Sequence, residues 1–399
     1  MTEPLTTLVV GGGMISQDVI LPTLLQERRR GRHGEVWLAS RTAGTVAKCA
    51  KRSGGKIDRL FPDPKRTPKD KSVPDSYQAA LDELPPGSCV MVATPDHLHT
   101  PVILDAIAAG HHCVVQKPLC LKVKEARKIA VLADKLGAYV LTDYHKRYDP
   151  AIRAAKHRFR KGDLGDMLHG HAWCEEKKLM ALDVFSRWCE ESSPFEYIGV
   201  HYADAYYYIT GLLPRRVAAF GQKKFLPTKG KNAFDAVQAV IEWEDGSAFW
   251  VQTSWVLPDS NSALTAQGLT LHGTKGEYWA DHRNRNCRFV TDDKGYEDFN
   301  PNFFKTYDSF EPDAATDVWG YGYASIVQGL DDIRELRRRT TGKTAAEALR
   351  TRRAFLKSIA PKRALPDQAL VGVAINEAVR LSIAQKNRYV RFDRGLNPH

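Results

Sequence analysis

The short run Thr7-Leu8-Val9-Val10 stops at three consecutive glycines, Gly11-Gly12-Gly13, and from Asp18 to Gln26 a helical apolar pattern follows through Val19, Ile20, Leu24 and Leu25. Strand, glycine turn and helix in that order leave few folds open, because the chain must reverse within a few residues and pack the helix back on the strand. The spacing Gly11-x-Gly13-x-x-Ser16 meets the first two positions of G-x-G-x-x-G and puts a small residue in the third. In that pattern the first glycine permits the tight turn and the second lets the backbone approach a pyrophosphate. The start of the helix, here Met14 and Ile15, presents backbone N–H groups to the phosphate charge.

The alternation continues. A second strand spans 35–40, a helix 45–51 and a third apolar strand 89–93; then strands at 112–115 and 138–141 alternate with helical stretches at 101–109 and 123–136. Repeated β-α units predict a doubly wound parallel sheet over residues 1–149, an α/β Rossmann domain that binds a dinucleotide. A chain of 399 residues exceeds what one hydrophobic core usually serves, so a second domain is expected. After Pro150 the texture changes to period-2 strands, Ala236 to Trp243 and Ala248 to Gln252, joined by the hairpin signature Glu244-Asp245-Gly246-Ser247. Residues 150–399 are therefore expected to form an α+β domain with a large, mostly antiparallel open sheet, serving substrate binding and self-association as a homodimer or homotetramer.

The formal charge of +11 raises the question of a nucleic-acid partner, but Lys and Arg are scattered along the chain. The densest run, Arg28-Arg29-Arg30-Gly31-Arg32, follows an apolar helix, where cations favour the helix C-terminus. No nucleic-acid partner is expected. Seven cysteines with no C-x-x-C pair indicate neither a zinc site nor a disulfide framework and suit a reducing cytoplasm. No signal peptide and no apolar run of membrane-spanning length is read, so neither membrane contact nor a metal is expected.

A dinucleotide-binding domain for NAD usually ends its second strand in Asp or Glu, which holds the ribose hydroxyls. Here the segment reads Leu38-Ala39-Ser40-Arg41-Thr42. Ser40 and Arg41 can bind a 2′-phosphate that an acid would repel, so NADP is expected ahead of NAD.

Two further stretches, Val92-Ala93-Thr94-Pro95-Asp96-His97-Leu98-His99 and Gly110-His111-His112-Cys113-Val114-Val115-Gln116-Lys117-Pro118, resemble the Gfo/Idh/MocA family of sugar and cyclitol dehydrogenases. The resemblance runs on through Tyr144-His145-Lys146-Arg147-Tyr148-Asp149-Pro150 and Gly199-Val200-His201-Tyr202-Ala203-Asp204. It implies that Thr94, Pro95, His99, Gln116 and Lys117 lie at the cofactor, that Lys117 and His201 are catalytic, and that Lys146 and Asp204 meet the substrate. Two departures stand out: the family's Glu-Lys-Pro is Gln116-Lys117-Pro118 here, and Tyr197 occupies the place of an aspartate four residues before the histidine.

Residues four apart share a helix face, so Tyr197 and His201 are expected to point the same way, with Asp204 one turn further. Oxidation of a secondary alcohol needs a base for the hydroxyl proton, which His201 suits, and a cation for the alkoxide, which Lys117 suits. Tyr197 is either a proton relay or an aromatic wall. The expected function is hydride transfer at a secondary hydroxyl or keto group of a sugar or cyclitol-like substrate. A redox-neutral glycosidase or lyase acting through a transient keto sugar, and a non-catalytic dinucleotide sensor, remain open beside it.

Overall fold

A computed structural model describes residues 4–284, 286–291, 295–299, 303–307 and 316–399. By contacts the chain divides into two compact units, the first comprising Met1–Cys120, Lys124–Asp143 and Phe303–Gln368, the second Leu121–Val123, Tyr144–Asn302 and Ala369–His399.

The first unit opens with six strands, β1 (Thr7–Val10), β2 (Val36–Ala39), β3 (Arg59–Phe61), β4 (Cys89–Val92), β5 (His112–Gln116) and β6 (Val140–Asp143). They pair in parallel in the order β3-β2-β1-β4-β5-β6, the doubly wound arrangement expected. β1, β2, β4, β5 and β6 are buried at every position. Helices cover both faces of such a sheet, which is why these strands read as continuous apolar runs. The intervening helices are α1 (Leu21–Arg29), α2 (Ala43–Arg52), α3 (Ser76–Glu83), α4 (His99–Ala108) and α5 (Val123–Leu136). Thr42 caps α2 by accepting from the Thr45 N–H.

The second unit follows with α6 (Pro150–Arg160), β7 (Met167–Lys177), α7 (Val200–Thr210), β8 (Pro214–Gln222), β9 (Ala236–Trp243), β10 (Ala248–Leu257), β11 (Thr265–Gly273), β12 (Gly276–Asp281), β13 (Asn286–Thr291) and β14 (Gly295–Phe299). The chain then returns to the first unit with β15 (Lys305–Tyr307), β16 (Asp317–Trp319), α8 (Tyr321–Thr340) and α9 (Ala345–Ile359), and ends with α10 (Pro366–Ala384) and β17 (Val390–Arg391). The linear division at residue 149 expected from the sequence therefore leaves out Phe303–Gln368, which packs with the first unit. Gly329 on α8 shows why: a Cβ there would meet Val114 of β5 at 2.9 Å, so the helix lies directly on the parallel sheet.

The nine-stranded sheet of the second unit runs β14-β13-β12-β11-β7-β10-β9-β8-β17 and is antiparallel except between β7 and β10. The expected hairpin joins β9 and β10, with Gly246 at φ +87° and Ser247 N–H donating to Asp245 Oδ1. Burial alternates along β9, and the covered face receives α7, whose Tyr206 ring lies 4.7 Å from Trp243 and 4.6 Å from Phe249. All seven cysteines are buried. Among the described residues no helix is long and apolar enough to cross a membrane, and no cluster of metal-ligating side chains occurs.

Two histidines of the first unit are buried as acceptors. His112 Nδ1 accepts the Tyr139 N–H at 3.2 Å, and His33 Nδ1 lies 3.5 Å from the Arg334 guanidinium. Burial, reinforced by neighbouring arginines, lowers each to about 3. The folded state then stays neutral while the unfolded chain takes up protons below about 6.5, so stability is complete above that pH and is lost as pH falls. With about 1.4 kcal/mol per pH unit for each group, roughly 3 kcal/mol should disappear between about pH 6.5 and pH 5. Urea unfolding at the two pH values checks this; a constant midpoint would contradict it.

Candidate functional site

In the first unit, the three glycines after β1 do different work. Gly11 has φ +110°, and a Cβ there would strike the Ala93 carbonyl beyond the end of β4. At Gly12 a Cβ would meet Thr45 of α2 at 2.6 Å. Gly13 is exposed with nothing within 4 Å of a Cβ, so the turn is open on that side alone. Ser16 Oγ donates to the Gly11 carbonyl at 2.7 Å and closes the loop beneath it. Met14 and Ile15, half-buried, start the helical run, which passes through a π-helical stretch (Ser16–Ile20) before α1. A tight turn with one open, side-chain-free position at a helix start suits a dinucleotide pyrophosphate. Ser40 and Arg41 follow β2; the Ser40 N–H donates to the Phe61 carbonyl, and the Arg41 side chain is exposed.

The ends of β4 and β5 are tied together by one ring. His99 is wholly buried at the start of α4, with Nδ1 2.8 Å from the Pro118 carbonyl oxygen and Nε2 2.9 Å from that of Thr94. Burial lowers its pKa, and a neutral ring donates to one of the two oxygens. It thereby fixes Thr94-Pro95 against Lys117-Pro118. The Thr94 hydroxyl is buried with no hydrogen-bond partner, the kind of orphaned group a ligand satisfies. Lys117 is 8% exposed, and Gln116 Nε2 donates to Asp143 Oδ2 at 2.9 Å across β5 and β6.

In the second unit the expected residues separate. Tyr197 lies in a further π-helical stretch (Phe195–Gly199), and His201 in α7. A π turn is wider than an α turn, so the one-face expectation for positions four apart fails at this junction. Tyr197 joins a four-ring cluster, 5.1 Å from Phe185, 5.5 Å from Trp188 and 6.2 Å from Trp255. His201 instead packs 4.4 Å from His145 and 6.4 Å from Tyr144. Asp204, expected at the substrate, is 1% exposed and grips Arg147, accepting from Nε at 2.8 Å and Nη2 at 2.6 Å. A buried guanidinium needs such a carboxylate, and Arg147 engages both oxygens of Asp204.

Lys146 is buried as well: its Nζ donates to Gln267 Oε1 at 2.8 Å and stands 4.6 Å from the centre of the Tyr202 ring. The Tyr202 hydroxyl meets His282 Nδ1 at 2.9 Å. Gln267 and the ring of His145 were missed by sequence reasoning. His145 lies inside the quoted junction motif, whereas nothing local marks Gln267, which reaches Lys146 only through the pairing of β11 with β7.

Comparison with known proteins places both halves. Residues 5–144 match the oxidoreductase family with an NAD-binding Rossmann fold, and residues 152–279 match the GFO/IDH/MocA C-terminal domain. The chain is 26% identical over 205 residues to the rhizopine catabolism protein MocA of Rhizobium meliloti, covering 50% of this chain and 62% of that protein. It is 27% identical over 200 residues to D-glucoside 3-dehydrogenase of Escherichia coli, covering 47% of this chain and 57% of that one. The matched stretch thus spans little more than half of these relatives. An inositol dehydrogenase homolog from Azotobacter vinelandii, solved with NADH and myo-inositol, shares the fold at TM-score 0.73, with 18% identity and 98% of both chains covered. With both family domains matched in order over most of its length, the chain belongs to the Gfo/Idh/MocA oxidoreductase family.

Proposed function

We propose that the protein is a nicotinamide-dependent dehydrogenase or reductase acting at a secondary hydroxyl or keto group of a sugar or cyclitol-like substrate. The observation that carries this reading is Lys117: a nearly buried amine at the end of a parallel strand, tied through His99 to the strand beside the open phosphate turn. The nicotinamide, when bound, accepts or returns the hydride. Gly11, Gly13, Met14, Ile15, Thr94, Pro95, His99, Gln116 and Lys117 are the residues proposed to hold it.

His201 takes the hydroxyl proton during oxidation, and the Lys117 ammonium stabilises the oxygen as its charge grows. Tyr197, seated among three other aromatic rings, serves as a wall for the apolar face of a sugar ring. Lys146 is a substrate contact within its Gln267 and Tyr202 network. We further infer that NADP is preferred, because no acid stands at the end of β2 and Arg41 is exposed there.

Lys117→Ala and His201→Ala should each lower kcat/KM by at least ~10²-fold with cofactor affinity nearly unchanged, measured on a sugar or cyclitol that reduces the cofactor. Tyr197→Phe should change kcat by less than about threefold, since a wall needs only the ring. Near-normal turnover in both alanine variants would overturn the assignment. Cleavage of a glycoside without any change in nicotinamide absorbance would replace it with the redox-neutral reaction.

Fluorescence titration should show tighter binding of NADPH than NADH, and Arg41→Ala should remove the difference; equal affinities for the unaltered protein would refute the preference.

The open face of the large sheet supports self-association into a dimer or tetramer. Val240, Trp250, His171, Thr270, Trp279 and Arg288 form one row across five adjacent strands and the next, and Trp250 is 51% exposed. A row carrying two tryptophans on an open sheet face suits an isologous contact. Trp250→Glu should reduce the mass seen by light scattering toward that of one chain. A monomeric unaltered protein would exclude the contact.

A further inference from the structure

The open face of the nine-stranded sheet carries three histidines beside its tryptophans. His169 and His171 alternate along β7 with the buried Gly170 and Ala172, and His272 of β11 is the register partner of His169. The His169 and His272 rings stack with their centres 4.6 Å apart. His171 lies 5.6 Å from Trp173 and 6.0 Å from Trp250, and the Trp173 ring covers Gly268 of β11, where a Cβ would meet it. Imidazole and indole thus fill the middle of the face.

Strand by strand, the charged groups lie toward the flanks. On one side β10 sets Ala248 and Trp250 beside His169 and His171, and beyond it Glu242 of β9 accepts from Arg216 Nε of β8 at 2.6 Å. On the other side β12 presents Glu277, whose carboxylate lies 3.6 Å from His272 Nδ1 and 4.0 Å from the guanidinium of Arg288 on β13. Glu175, further along β7, accepts from Gln252 of β10, and Lys275 in the turn after β11 packs toward Gly165. Glu277, already shared with Arg288, is the carboxylate set against three imidazoles.

From β8 to β13 and from His169 to Glu175 the face measures about 29 by 20 Å, given about 4.8 Å between strands and about 3.3 Å per residue. Two copies pressed together would bury about 1,200 Å², the lower end of the range for specific contacts. An uncharged aromatic middle with paired acids and bases at its rim is how such a contact is built, so the occupant that fits is a second copy of this chain. A contact of that size is also decided by a few charges. Histidine is the side chain whose charge changes between about pH 5 and pH 8. Two imidazolium rings stacked as closely as His169 and His272 repel each other, and covering either with another chain strips it of water. At His171 burial already favours the neutral ring, with Gln252 opposing it.

We propose that self-association through this face is gated by pH: His169, His171 and His272 hold two copies together as neutral rings and part them when protonated. This rests on the self-association proposed above. Each imidazole that is neutral in the contact and charged in the separate chain weakens association about tenfold for every pH unit below about 6.5. One such ring from each copy amounts to about 10²-fold at pH 5.5.

Light scattering over a dilution series of the full-length protein should therefore give a dissociation constant at least ~10²-fold larger at about pH 5.5 than at about pH 7.5, with the far-UV circular dichroism unchanged. The variant His169→Gln with His272→Gln keeps polar side chains that take up no proton. It should still associate at the higher pH, and its change between the two conditions should be at least ~10-fold smaller than that of the unaltered protein. Should that variant fail to associate at the higher pH, His272→Gln alone decides by the same measure. An unaltered protein that associates equally at both pH values overturns the gate and leaves the self-association standing, whereas a monomer at the higher pH overturns both. A variant with the full pH response overturns the assignment to these histidines. Dissociation that comes only with loss of the circular dichroism signal overturns the gate too, because the chains then part by unfolding.

Discussion

The close approach of Gly11 to the Ala93 carbonyl is the constraint on which the rest of the first unit depends. No side chain fits there, so β1 and β4 can end side by side and the first helix can begin immediately above them. Gly12 repeats the argument toward α2, where Thr45 closes the gap. Between them these two contacts fix the turn rigidly enough that the one open position, Gly13, has a defined surrounding. Pre-organisation of this kind is what lets backbone N–H groups bind an anion without first paying to order a loop.

Much of this was legible in the sequence because it is local. The Thr7–Val10 run, the glycines and the β-α alternation each depend on neighbours within a few residues, and the strand order followed. The hairpin at Glu244 to Ser247 was legible for the same reason. What was hidden depended on distant partners. The return of Phe303–Gln368 to the parallel sheet is invisible without knowing that Gly329 faces β5. The geometry around Tyr197 was misjudged because periodicity arguments assume an α turn, and the π stretch widens it. Asp204 carried the right residue type at the right spacing, yet Arg147, which lies near it only in the folded chain, had already claimed both its oxygens.

The second unit handles buried charge in a consistent way. Arg147 is neutralised by Asp204, while Lys146, its chain neighbour, is held by a neutral amide and by the face of Tyr202. An amide and a ring face hold a cation without cancelling it. Two adjacent basic residues in the junction segment are thus treated differently, one paired with a carboxylate and one held by an amide oxygen and a ring face. The Gln116–Asp143 pair in the first unit is the complementary case, an anion held by an amide. In both units glutamine supplies a rigid hydrogen bond while leaving the net charge of its surroundings alone.

The excursion of the chain out of the first unit and back also orders its synthesis. α8, which covers Val114 and Leu141 of the parallel sheet, emerges only after eight strands of the nine-stranded sheet, β7 to β14, have been made. At about 5–20 residues per second, the apolar face of β5 and β6 waits on the order of ten seconds or more for its cover. The dinucleotide-binding half of the molecule is the first to be translated and among the last to be completed. A nascent chain halted before Tyr321 carries every phosphate-turn glycine and still lacks one wall of the core that holds them in place.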